Sequence, residues 1–198
     1  MILCAVDPAI TSIMIRIFIL FVLIAFVSIL MNKRYDKGQK ERAELLAVQY
    51  KTMTRELLDE TPDEDLLDAV VANLNGKLDE KTPDPYHTIP LLSRERFLIY
   101  GLWLCDHELQ NGNFSTMQST GSFRFLEAAS SACEQIGAEK CAEALTAALQ
   151  NAADADALND AHIAYVEARA TEQPLEKAVT FVRDNAPAFL DVDDQPAD

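Results

Sequence analysis

The sequence predicts an all-α protein: an N-terminal transmembrane helix and stalk, followed by an acidic multi-helix domain. Three observations carry this. One long apolar run lies near the N-terminus. Apolar residues in the remainder recur at intervals of three and four. No stretch shows sustained period-2 alternation of β-branched residues bounded by turns. The chain has 198 residues, 49% of them apolar, with 6 Gly and 8 Pro, a composition that excludes collagen-like and wholly disordered classes. Its 17 Lys and Arg face 32 Asp and Glu, a net charge of −15. Phosphates would be repelled by such a chain, so direct nucleic-acid binding is not expected.

The run IMIRIFILFVLIAFVSILM, residues 13–31, is interrupted only by Arg16 and Ser28. At helical rise it covers roughly 28 Å, close to the hydrocarbon thickness of a bilayer. Arg16, in the first turn, can carry its guanidinium up to the head groups. A core helix would show a polar stripe, and a cleaved signal peptide would carry basic residues before the run and a small-x-small site after it. Here the basic residues Lys33, Arg34, Lys37, Lys40 and Arg42 follow it. They are expected to stay on the cytoplasmic side, against anionic head groups, with the N-terminus outward. The expected location is the inner (cytoplasmic) membrane, crossed once. The four cysteines, 4, 105, 133 and 141, form no CxxC pair and are expected to be reduced thiols. The organisation that follows is a short outer segment (1–12), a transmembrane helix (13–31), a basic collar and helical stalk (32–58), an acidic helical domain (59–185) and an acidic, frayed tail (186–198).

Within the domain, Thr61-Pro62-Asp63-Glu64 has the pattern of a helix start, with Thr61 as N-cap and Glu64 closing a capping box. Leu66, Leu67, Val70, Val71 and Leu74 then share a face and Gly76 offers a stop, while Glu64, Asp65 and Asp68 point away. Lys77 to Leu92, with prolines at 83, 85 and 90, reads as a long loop. Ser93 can cap a largely buried helix that ends at Asn111-Gly112, with Gly112 as the left-handed terminator. Further helices are predicted from Ser122 to Ile136 with Gly137 as the stop, from Ala138 to Leu149, from Asp156 to Arg169 and from Pro174 to Asp184.

No phosphate-binding, dinucleotide-binding or nucleophile-elbow motif occurs. Cys105-Asp106-His107-Glu108 brings a thiol, two carboxylates and an imidazole together in sequence. Adjacent residues on a helix diverge by about 100°, so the four do not share a face, and Cys105 reads as a small core residue. His87 and His162 lack obvious partners, and Cys133 and Cys141 read as buried and structural. No catalytic, cofactor or metal site is expected.

The corner Glu108-Leu-Gln-Asn-Gly-Asn-Phe114, with Thr120-Gly121 shortly after, is more specific than a generic turn. Phe114 is expected to plug into the core while Gln110, Asn111 and Asn113 bond loop backbone. Glu108, Asn111, Gly112, Phe114 and Gly121, followed by Ile136-Gly137-Ala138 with Ala142, Ala144 and Leu145, resemble the signature of the DNA-mimic protein family, a helical domain also catalogued as of unknown function. The resemblance covers about residues 60–150. Gln110 and Asn113 depart from the family pattern, as do Met117 and Gln118, where aromatics are usual.

The resemblance implies an all-α domain, dimeric, that presents carboxylates in place of DNA phosphates to a protein partner such as a helix-turn-helix repressor. The candidate partner-binding acids are Asp63, Glu64, Asp65, Asp68, Asp79, Glu80 and Asp84. Charge alone does not let a partner's Lys and Arg tell phosphates from spaced carboxylates. Two other readings stay open. One is a membrane-tethered scaffold or adaptor, its acids serving solubility. The other is a hydrolase-type enzyme using Asp106, His107 and Glu108, which predicts a deep polar pocket around residues 105–114.

Overall fold

A computed structural model describes residue 38, residues 40–78 and residues 81–191. The apolar run 13–31, the start of the collar, Asp79, Glu80 and residues 192–198 lie outside the described residues. The chain divides into two compact units, Met1–Leu45 and Leu46–Asp198. Among the described residues every regular element is helical, and no helix is long and apolar enough to cross a membrane.

Residues 40–49 are helical (α1). In the second unit α2 spans Arg55–Glu60, α3 Asp63–Asn75, α4 Arg94–Asn111, α5 Phe114–Thr120, α6 Leu126–Gln135, α7 Glu139–Gln150, α8 Ala155–Glu172 and α9 Pro174–Asp184. Helix α4 is the central element, packing on α3, α6, α9 and the short 3-10 turns around them. Its contact with α6 is close: a Cβ on Gly101 would stand 2.9 Å from the Ala128 Cβ, so only glycine lets the two backbones approach this far. Helices α6, α7 and α8 pack in sequence order. The α6–α7 corner turns at Gly137, whose φ of 70° is the left-handed conformation that L side chains resist.

The start of α3 differs from the sequence expectation. Pro62 takes the N-cap position and makes no side-chain cap bond. Thr61 instead closes α2, its hydroxyl donating to the Leu57 carbonyl at 2.5 Å and meeting the Tyr50 hydroxyl at 3.1 Å. The hydroxyl gives its one proton to the Leu57 carbonyl and has the Tyr50 hydroxyl beside it, so it is held at the end of α2. The predicted apolar face of α3 is buried throughout, from Leu66 to Leu74. Its end falls at Gly76 in ordinary right-handed geometry.

The proline-rich segment is more ordered than a loop. Asp84 accepts from the Tyr86 N–H and opens a 3-10 turn, Pro85–Leu91, that buries Ile89. Gly112 is not left-handed, with φ −156°; a Cβ there would stand 3.1 Å from the Thr116 hydroxyl, a tight contact. The left-handed residue of this corner is Gly121, φ 81°.

The unit extends past both ends of the predicted domain. Tyr50, Met53 and Leu58, placed in the stalk by sequence, are core residues. After α9 a second 3-10 turn, Ala186–Phe189, inserts Phe189 and Leu190 into the core. Asp191 then clamps the end of this turn to the segment before α2 and to α3 and α4. Its carboxylate accepts from the Met53 N–H at 2.8 Å and Asn73 at 3.1 Å, and pairs with Arg96 at 3.1 Å and Lys77 at 2.8 Å. Burial favours the neutral acid, but Lys77, the Met53 N–H and Asn73 together hold this carboxyl below its ordinary value.

Candidate partner-binding surface

The side chains of Cys105 to Glu108 diverge. Cys105 is fully buried and its thiol is pushed up by burial. Asp106, also fully buried, faces α8: its carboxylate accepts from Tyr165 at 3.0 Å, Arg169 Nε at 2.5 Å and Arg169 Nη2 at 3.2 Å, and from Gln110 at 2.5 Å. His107 is exposed and stacks on Trp103, ring centroids 5.4 Å apart. Glu108 reaches across the corner to accept from the hydroxyls of Ser122 at 2.7 Å and Thr120 at 3.1 Å. Asp106 and Glu108 therefore pin α4 to two different neighbours. Among the described residues, no group of three or more His, Cys, Asp or Glu side chains could hold a metal ion.

The signature residues act together on this corner. Asn111 donates to the His107 carbonyl of its own helix at 2.8 Å. Asn113 caps α5 by accepting from the Thr116 N–H at 3.0 Å, and Gln110 bonds Asp106, so only part of the expected loop-backbone bonding occurs. Phe114 is buried, meeting the rings of Phe123 and His162 edge-on. Further along, Ile136 is half-buried, Gly137 is left-handed and Ala138 is buried; the Ala138 N–H donates to Cys133 O at 2.7 Å, closing α6. These residues specify the chain path.

The candidate acids have several fates. Asp63 is bound by Arg183, whose Nη2 lies 2.8 Å from its Oδ1 and whose guanidinium also caps the carbonyls of Leu58 and Thr61. Asp84 forms a two-pronged pair with Arg124, at 2.8 and 2.5 Å, and the guanidinium holds its carboxyl below the usual range. Glu64 and Asp68 are exposed on α3 and Asp65 is half-buried. Asp79 and Glu80 lie outside the described residues. The seven thus do not form one uniform acidic face.

Sequence reasoning missed how the bases are used. Of the 32 acids 28, but of the 17 bases only nine, follow Arg55, leaving this region at −19. Among them Lys77, Arg96, Arg124, Arg169, Lys177 and Arg183 bind groups within the fold. Lys77 and Arg96 hold Asp191, Arg124 holds Asp84, Arg169 holds Asp106 and Arg183 holds Asp63. Lys177 donates to the Gly137 carbonyl at 2.6 Å. Lys77, Arg96 and Arg169 are thereby drawn to largely buried carboxylates, while Arg124–Asp84 and Arg183–Asp63 pair at the surface. Glu172 adds a further device at the start of α7: although burial opposes it, the N–H groups of Cys141 and Lys140 hold its carboxyl below the ordinary value.

Fold and surface define a class: an all-helical acidic domain whose corner motifs are built for chain path. The DMP19-like protein family matches residues 91–194, just over half of the chain and shifted toward the C-terminus from the expected 60–150, and the chain belongs to that family. No curated protein and no solved structure matches it.

Proposed function

We propose that this protein is a membrane-anchored acidic helical domain that binds a basic protein partner, standing in for the phosphates of DNA to sequester a DNA-binding regulator. The observation that carries the reading is the capture of Lys77, Arg96, Arg124, Arg169, Lys177 and Arg183 by the fold's own acids and carbonyls, in a region of net charge −19. Duplex DNA presents about one charge per 1.7 Å of axis, and a rigid helical scaffold carrying many carboxylates offers a comparable field. Family membership supports the same reading. The apolar run 13–31 and the basic collar behind it supply the tether, with the domain on the cytoplasmic side. A tethered mimic would hold a regulator at the membrane, away from the chromosome. The domain acts here by binding, without catalysis, a cofactor or direct contact to nucleic acid.

A scaffold that ignores DNA is the second reading, favoured by the pairing of Asp63 and Asp84 within the fold. The test is competition. The full chain in detergent or nanodiscs is immobilised, proteins retained from native lysate are identified, and duplex DNA is added. A partner displaced by duplex and by salt supports mimicry. One insensitive to both supports the scaffold.

A further inference from the structure

Helices α7 and α8 leave an open groove of about 760 Å³ along their outer side. Its floor is alanine: Ala144 and Ala147 from α7, and Ala157, Ala161, Ala164 and Ala168 from α8. The α8 alanines run for about 16 Å at helical rise. Where larger side chains would fill such a seam, alanines leave it open and let another helix approach closely. Acids rim the groove, Glu143 on one side and Asp160 and Glu167 on the other, with Lys140 as the single base in its lining. A smaller trough of about 450 Å³ shares Glu143 and Ala147 and adds Glu134 and Glu139.

We propose that the α7–α8 groove is the docking site for an amphipathic basic helix of a protein partner. Its apolar ridge lies on the alanine floor and its Lys and Arg reach the two rims. This rests on the reading of the domain as a receptor for a basic protein, and names the face used and the shape received. Charge complementarity selects the occupant. The lining of the two troughs holds five carboxylates and one ammonium. A second copy would bring the same acids against this rim, like against like. Asp160 and Glu167 stand two turns apart on α8, about 10 Å, the spacing of Lys or Arg at i and i+7 on a partner helix. The site is on the opposite end of the sequence from the α3 acids, so the two surfaces can be tested separately.

The probe is a fluorescein-labelled peptide of about 20 residues, long enough to hold a helix when bound, with a Leu and Ala stripe flanked by Lys. Binding to the full chain in detergent is read by anisotropy over a salt series. Circular dichroism checks that each variant is folded. Ala164 is exposed, so Ala164→Trp fills the groove without disturbing the core. It is expected to weaken binding by at least about tenfold, a loss typical of blocking an interface centre. The triple change Glu143→Gln, Asp160→Asn, Glu167→Gln is expected to flatten the salt dependence. A peptide with Ser in place of the apolar stripe is expected to bind more weakly than the original. Four outcomes overturn the groove. These are wild-type affinity in Ala164→Trp, equal binding of the Ser-stripe peptide, loss of binding only on changing Glu64, Asp65 and Asp68 of α3, and self-association that Ala164→Trp abolishes. The third leaves the basic-partner reading standing. Salt-insensitive binding, or none, by the unaltered chain removes both.

Discussion

Replacing Asp106 by Asn removes the charge at the joint between α4 and α8 while keeping the shape. The carboxylate is fully buried and accepts four bonds from Tyr165, Arg169 and Gln110. Asparagine turns one acceptor oxygen into a donor, so at least one of Arg169 and Gln110 faces a donor where it had an acceptor. Breaking one side of a buried ion pair costs about 3–5 kcal/mol. Arg169 is 35% exposed and can turn part of its charge to water, which lowers the expectation to about 2–4 kcal/mol. For a domain of this size that corresponds to a fall of roughly 5–15 °C in Tm. The assay is thermal unfolding followed by circular dichroism, with Arg169→Met and the double variant completing a cycle. The double variant is expected to lose less than the sum of the two single losses. The difference should persist in high salt, because a buried pair is poorly screened. A Tm for Asp106→Asn within about 2 °C of the unaltered chain, or strict additivity in the cycle, would refute the assignment of Asp106 as the clamp between these helices.

Asp191 gives a pH signature. Its carboxyl lies below the ordinary 3.8 in the folded chain, so its contribution is complete above that value and is lost as pH falls through the lower folded one. Asp191→Asn should therefore lower Tm clearly at pH 7, and the gap should close as pH falls below 3.8; a constant gap contradicts the clasp. Ending the chain after Asn185 removes Phe189 and Leu190 from the core, each worth about 1.5–3 kcal/mol, and should prevent cooperative unfolding, whereas ending it after Asp191 should not. Gly101→Ala brings a Cβ to 2.9 Å from that of Ala128 and should cost about 1–3 kcal/mol through overpacking; denaturant unfolding with an unchanged midpoint argues against the close α4–α6 crossing.

The helices were readable where one physical signal decided them. In α3 the apolar period predicts the buried face of Leu66 to Leu74, and in α9 Pro174 marks the first residue. The misreadings arose where two tertiary demands compete for one residue. Thr61 has the pattern of an N-cap, but the buried Tyr50 hydroxyl draws it to the end of α2. Gly112 stands at a helix end, yet its backbone is extended rather than left-handed and it lies tight against Thr116, a contact invisible in linear order. Asp191 sits in an acidic, proline-containing stretch that reads as tail, and its four partners come from residues 95 or more positions away. The candidate acids show the same limit. Composition reveals an excess of negative charge, but only the fold reveals that Arg183 and Arg124 neutralise Asp63 and Asp84. The α7–α8 groove left a faint trace in the sequence, the alanines at 157, 161, 164 and 168, whose shared place in its lining shows only once α7 and α8 are packed together.

The most direct test of the central claim is displacement of a bound partner by DNA. The full chain, held in nanodiscs and loaded with its partner from native lysate, is challenged with duplex DNA and separately with polyglutamate of equal total charge. The account predicts release by duplex at concentrations where polyglutamate releases little, because the partner surface that fits DNA is the one the acidic helices occupy. Retention of the partner through saturating duplex would contradict it and leave a scaffold in its place.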